Sequence, residues 1–280
     1  MTEPRREPAP VAAPAAGTAG TPPRPRVVVS VEATVDGKIT LGRQRRLMEP
    51  AVGQVWRQLQ PPSAGALRTA RDATQQAQYG YAQVVLEGVG SIVSEGEAPP
   101  PLPAVEGDPR PLYEDFLPAE VLERPGRQGW FAVVDSRGRA RWTQKTGGGR
   151  DLLVLVARRT PPEYLAFLRK ETIPYLVAGE ARVDLAQALG RMAETLGVTC
   201  VTSAAGGGLN GALLRAGLID ELNILFLPSL IGGRDTPTLF DGPELGPHET
   251  PARLRLLSAQ LQTDGAMWVR YEVLRPTAGV

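Results

Sequence analysis

The chain has 280 residues, 42% of them hydrophobic, with 31 lysines and arginines set against 30 aspartates and glutamates. That is apolar material enough for a substantial core, and the near-cancelled charge excludes the overall basic field that draws in nucleic acid. One cysteine, Cys200, and one histidine, His248, exclude an intrachain disulfide and the usual zinc and Cys/His nucleophile patterns, so no metal is expected.

Residues 1–25, MTEPRREPAPVAAPAAGTAGTPPRP, carry proline where a secretory signal needs an apolar run, and read as a disordered tail. No run of about 18 apolar residues occurs, so no membrane span is expected. The lone cysteine fits a cytoplasmic setting. RVVVSVEATVDGKIT (26–40) is a β-branched strand followed by an Asp-Gly turn, which is favoured as type I′ for backbone reasons. Residues 50–79 are helical in part, and AQVVLEGVGSIV (82–93) is a buried strand entering a glycine turn. Residues 96–118 hold too much proline for regular structure, and loops of that length are often functional or mobile.

GWFAVVDSRGRARW (129–142) gives a third strand, and DLLVLVARRTPPEYLAFLRKE (151–171) a strand, a turn and a helix. IPYLVAG (173–179) is a strand, and DLAQALGRMAETLG (184–197) an amphipathic helix ending at Gly197. VTCVTSA (198–204) then leads through glycines into the helix LNGALLRAG and the strand ELNILFLPSLIGG. The C-terminal ARLRLLSAQLQTDGAMWVRYEVL alternates and turns at Asp264-Gly265, as a hairpin does. Strands alternating with single helices predict one α/β domain over 26–280, with a mostly parallel central sheet, flanking helices and a closing antiparallel hairpin. Ligands of such sheets bind beyond the carboxyl ends of the strands, where GVGS and AAGGGLN lie.

A strand that feeds a glycine turn and then a helix offers unpaired backbone N–H groups at the positive end of a helix dipole. Bare backbone there lets a phosphate approach; equally, it allows tight strand–helix packing. The spacing matches neither GxGxxG nor a Walker loop, so both readings stay open at this point. A triad nucleophile would need His248, whose surroundings, DGPELGPHETP, make a loop in which a histidine is usually solvated.

TVDGKI, EGVGSIV, VVDSRGR and GGGLNGALLRAGLIDELNILFLPSLIGG, in that order, resemble the riboflavin-pathway pyrimidine reductases, which have the dihydrofolate-reductase-like fold. The resemblance spans nearly all of 26–275 and is strongest over 198–233. It implies an NADPH-dependent homodimer that reduces a ribosylamino-pyrimidine phosphate. No HxE…PCxxC is present, so only the reductase is resembled, not the zinc deaminase some members carry.

Carried onto this chain, the resemblance implies cofactor contacts at Gly206, Gly207, Gly208, Leu209, Asn210 and Gly211. It implies others at Gly88, Gly90, Ser91 and Glu95, and at Ser136; by its charge alone, and not by the resemblance, Arg137 beside it suits a 2′-phosphate. The substrate side departs from the pattern. Ala204 stands where the family has a pyrimidine-contacting glutamate, and Tyr79 where it has an arginine. EGEAPPPLP replaces a phosphate-holding Asp/Glu-Pro-Arg-Leu stretch, with Arg110 as a substitute cation. Ser30 lines the expected pocket. Asp36 and Lys38 are the nearest candidates for a proton donor or an orienting charge. Three readings follow: the pyrimidine reductase with a rebuilt phosphate grip, an NADPH-dependent reductase of another heterocycle or imine, or an NADPH-binding homologue without catalysis.

Overall fold

Among the described residues, ten strands form one continuous sheet, in the order β4-β5-β3-β2-β7-β1-β8-β10-β9 with β6 alongside β5. The computed structural model describes residues 24–80, 83–94, 96, 98–247 and 249–275. The strands are β1 (Arg26–Thr34), β2 (Val84–Gly88), β3 (Gly129–Val134), β4 (Thr146–Gly147), β5 (Arg150–Val156), β6 (Tyr175–Val177), β7 (Cys200–Ser203), β8 (Glu221–Leu227), β9 (Arg253–Leu261) and β10 (Met267–Leu274). The helices are α1 (Pro50–Gln58), α2 (Ala64–Tyr79), α3 (Ala119–Leu122), α4 (Pro162–Lys170), α5 (Leu185–Leu196) and α6 (Gly207–Arg215). From β5 across to β8 the strands run parallel. The β9–β10 hairpin closes the far edge in antiparallel fashion, as its alternating sequence requires.

The central strands are continuous apolar runs because both faces are covered. On one face Val27, Val29, Val31, Leu86 and Val201 pack against Leu189 and Met192 of α5 and Leu213 of α6. The other face is covered in two separate patches. Trp56 of α1 and Leu67 of α2 lie over β8 and β10, and Leu165 and Leu168 of α4 lie over β3, β5 and β6. Between the two patches this face presents β2, β7 and β1. Sequence determines local stops as well: Asp184 caps α5 by accepting the Gln187 N–H at 3.0 Å, and Gly197 ends it at φ 64°.

Three expectations need correction. Arg24, placed in the tail by composition, is docked: its guanidinium meets both carboxylate oxygens of Asp220 at 2.8 and 2.9 Å. The turn after β1 is not type I′, because only Gly37 has positive φ, at 75°. The Gly37 N–H reaches the Thr34 carbonyl and the Thr34 N–H the Lys38 carbonyl, a tight turn followed by a left-handed glycine. The proline-rich loop, expected to lack regular structure, holds a short 3-10 helix at Arg110–Tyr113 and is docked. Its Leu112, Tyr113 and Phe116 pack on the α4 patch, and Phe116 exchanges two backbone hydrogen bonds with Tyr175 of β6. The rest of the tail, residues 1–23, lies outside the described residues. No helix among the described residues is long and apolar enough to cross a membrane.

Candidate active site

The two glycine turns meet at the carboxyl ends of neighbouring strands. β2 pairs with β7, Leu86 opposite Ser203, and the Ala204 N–H extends the ladder to the Leu86 carbonyl. A Cβ added to Gly88 would lie 3.8 Å from Leu209 Cβ of α6, so the turn after β2 abuts the start of that helix. The chain runs from β1 to one side of the sheet and returns through β7, so this is also where the strand order reverses, the usual ligand crevice of an open α/β sheet.

The glycines do two different jobs. A Cβ on Gly207 would sit 2.2 Å from the Thr238 carbonyl oxygen, and one on Gly211 only 1.7 Å from that of Asp241. Those two positions are bare because the 238–241 segment lies on the helix, tied by the Asp241 N–H to the Gly207 carbonyl. A Cβ on Gly206, Gly208 or Gly90 would meet nothing within 4 Å. Gly206 is the N-cap of α6 and no side chain caps it, and Gly208, in the first turn, is exposed. Packing and open approach therefore both occur, on different residues.

Several expected contacts become braces instead. Asn210 is fully buried; it accepts the Ser203 hydroxyl at 2.7 Å and donates to the Ala205 carbonyl at 2.8 Å, locking the turn from inside. It does not face a ligand, and neither does Gly211. Ser136 accepts the Val183 N–H at 2.9 Å and joins β3's end to the start of α5, leaving Arg137 exposed beside it. Asp36 takes the Thr34 hydroxyl at 2.5 Å and the Gly232 N–H at 2.7 Å. The Thr34 hydroxyl above all, with the Gly232 and Ile231 amides, holds its carboxyl below the usual range. Asp36 is thus a pinned carboxylate and a poor acid. Lys38 is buried and donates to the Thr236 carbonyl at 2.9 Å. Both residues fasten the 231–241 segment that covers α6.

Tyr79 is not brought to this face. It closes α2 at the amino ends of β1 and β8, where its hydroxyl bonds Glu221 and Arg26 lies over its ring. Burial and the Glu221 carboxylate push that phenol up to about 12. Glu221 also holds Arg270 at 2.8 Å, and both are buried. Arg110 is not brought either; it is exposed and paired with Asp108. Glu95 and His248 lie outside the described residues. The lone cysteine, Cys200, is buried, and burial pushes its thiol up to about 11, which excludes a thiolate nucleophile at neutral pH. A cleft of about 330 Å3 opens near the amino end of β5 and is lined by Arg124, Lys145, Asp151 and Glu171. It is at the opposite end of the strands from the glycines.

A family model described as the RibD C-terminal domain matches residues 25–269. The chain belongs to this family. Among its relatives is the 2,5-diamino-6-ribosylamino-4(3H)-pyrimidinone 5′-phosphate reductase of Archaeoglobus fulgidus, 28% identical over 221 residues that cover 78% of this chain and 87% of that protein. The reductase of the same name from Methanothermobacter thermautotrophicus is 38% identical over 101 residues, 36% of this chain and 46% of that one. In structure, a pyrimidine reductase-like protein from Corynebacterium diphtheriae superposes with a TM-score of 0.55 at 16% identity, over 90% of this chain and 93% of that one. Acinetobacter baumannii RibD gives 0.54 at 19% identity, over 90% of this chain and 58% of its own. The fold is thus that of the RibD-type reductases, and the family is one of oxidoreductases that work with a nicotinamide cofactor on a small molecule.

One residue that sequence reasoning passed over stands beside the glycines. Glu87 is the last residue of β2 before Gly88 and accepts the Ser91 hydroxyl at 2.9 Å. Burial pushes its carboxyl up to about 7, against the opposing pull of the Ser91 hydroxyl and the Gly88 amide. The signal was a single charge closing an apolar run, VVLEG, immediately ahead of a glycine turn.

Proposed function

We propose that the chain is an NADPH-dependent reductase of a ribosylamino-pyrimidine 5′-phosphate or a closely related imine. The observation that carries this reading is the junction of the two glycine turns, with Gly206, Gly208 and Gly90 open over an uncapped helix start. Backbone amides at a helix N-terminus suit a pyrophosphate, and the approach is open at Gly206 and Gly208, while the Asp241 carboxylate lies against Gly207. The Gly206–Gly208 amides hold the phosphates, with Gly88, Gly90 and Ser91 on the β2 side. Arg137, exposed at the end of β3, is the cation for a 2′-phosphate and favours NADPH over NADH.

Bound there, the nicotinamide supplies hydride, and the protein positions it rather than performing the hard chemistry. Asn210 and Ser203 keep the turn rigid from beneath, while Asp36 and Lys38 hold the 231–241 segment against α6, so the amides are set before a ligand arrives. Ser30 and Ala204 lie on the sheet face between the two helical patches, where the reducible group is placed. Direct assay with 2,5-diamino-6-ribosylamino-4(3H)-pyrimidinone 5′-phosphate and each nucleotide tests the reading. NADPH oxidation tied to formation of the ribityl product is expected; failure to bind either nucleotide would sink it.

A second reading, an unphosphorylated substrate, is favoured by the placement of Arg110, which is exposed, paired with Asp108 and on the α4 side of the molecule. The same assay with the dephosphorylated pyrimidine separates the two. The enzyme works as a homodimer in this reading. Edge strand β9 presents Leu254, Leu256 and Leu261 at 44%, 55% and 75% exposure, an apolar row that a second copy would cover.

A further inference from the structure

One row of residues on one face crosses the sheet obliquely, from the carboxyl end of β2 through the middle of β1 to the amino end of β8. Ser30 of β1 pairs with Asn223 of β8, and Asn223 with Arg270 of β10. One step along from the Leu86–Ser203 and Val29–Ser203 pairs, Glu87 of β2, Ala204 and Ser30 fall side by side. Alternation puts all three on the face opposite Leu86 and Val29, in the interval between the α1–α2 patch and the α4 patch, with Ser30 buried, Glu87 half-buried and Ala204 exposed. Ala204 is exposed and carries only a methyl group, so nothing fills the place between the Glu87 and Ser30 side chains.

Glu87 also stands beside the open turn, whereas the other acid there, Asp241, is held by the Thr238 amide and hydroxyl. Glu87 abuts Gly88, whose neighbour Leu209 opens α6, and it is anchored by the Ser91 hydroxyl. We propose that Glu87 is the proton donor of the reduction, an inference that rests on the reductase reading above. Reduction of a C=N bond to CH–NH consumes one hydride, supplied by the nicotinamide, and one proton. The Glu87 O–H bond breaks, its proton goes to the nitrogen, and the electron pair stays on the carboxylate, which then regains a proton from water.

The surroundings let that acid stay protonated until it is used. On β3 its register partner is Val133, which is apolar and buried. The Arg139 guanidinium donates to the carbonyls of Val93 and Ser94, and that of Arg46 to the carbonyl of Ile92. Asp135, at the end of β3, is turned onto the Arg139 and Ala140 amides. Glu32, two residues beyond Ser30, is held by Arg68 and Gln60. With burial dominant, the carboxyl titrates near neutrality, up to about 7, where a general acid works best. Asp36, in the turn after β1, is held in its charged form by the Thr34 hydroxyl.

The test compares the protein with Glu87→Gln, which keeps the shape and a hydrogen-bonding partner for Ser91 but has no acidic proton. Two readouts are taken: single-turnover reduction against pH, and titration of the Glu87 carboxyl by carbon NMR of glutamate-labelled protein, assigned by its loss in the variant. Expected are a carboxyl titrating near 7, a wild-type rate that falls as pH rises past that point, and a variant slowed about 100-fold or more with that fall removed and nucleotide affinity kept. A variant within about threefold of wild type with the same pH profile would overturn the inference, as would a carboxyl titrating in the ordinary range near 4 to 5. Nucleotide binding without reduction of the pyrimidine, alongside a titration near 7, would instead count against the reductase reading and remove the donor role with it.

Discussion

The two ends of the central strands are built on opposite plans. At the amino ends charges are paired: Arg270, Glu221, Asn223, Trp268 and Tyr79 form one largely buried network, and Arg24 clasps Asp220. At the carboxyl ends side chains are withdrawn. Gly206, Gly208 and Gly90 leave open backbone, Ala204 offers a methyl, and Glu87 sits in a largely apolar setting. The first end spends its polar groups on holding β1, β8, β10 and α2 together. The second leaves amides and one proton free for a ligand, which is where function is expected in this fold class.

The sharpest way to break the comparison is Arg270→Met. It strands the Glu221 carboxylate without its buried partner, and should cost about 3–5 kcal/mol in denaturant unfolding. Nucleotide affinity of the folded protein should not change, because the lesion is at the other end of the strands. Next comes a pair of glycine substitutions in one helix. Gly211→Ala drives a methyl into the Asp241 carbonyl and should destabilise by roughly 1–3 kcal/mol. Gly208→Ala meets open space and gains up to about 1 kcal/mol of helix preference. Equal losses at both positions would erase the distinction between packing and open glycines.

Glu87 adds a pH-dependent term. Its folded carboxyl is raised to about 7 from the ordinary 4.5, so the native state holds a proton that the unfolded chain releases across that window. Stability from this group is full below pH 4.5 and falls as pH rises toward 7. Glu87→Gln should therefore be more stable than wild type at pH 8 by roughly 1–2 kcal/mol and no more stable at pH 4, read by melting at both values. The smallest effect belongs to the far edge: Leu256→Glu should lower the dimer fraction in sedimentation with little change in monomer stability.

Much of the fold was legible because the strands announce themselves. VVVSVEA and ELNILFL can only be buried strands, and the Gly197 stop and the Asp264-Gly265 hairpin are local signals. The two-residue strand β4 was missed because so short a strand carries no periodicity. The glycine roles were not legible, since what Gly207 and Gly211 pack against lies some thirty residues later in the chain, at 238–241. Tyr79 was misplaced for a related reason: matching positions cannot say to which end of the sheet a helix delivers its last turn. Asp36 and Lys38 read as reactive because turn residues with charge look available. Their partners, Gly232 and Thr236, become visible only once the chain has folded back.

The central claim is that the open glycines receive a nucleotide's phosphates on bare backbone. Calorimetric titration of NADPH into wild type and Gly208→Glu tests it most directly, since that change places a carboxylate at the open helix start without touching the packing glycines. The account predicts micromolar binding to wild type, and a loss of at least about tenfold in the variant with its melting temperature kept. Equal binding by the two proteins, or none by wild type, would contradict it.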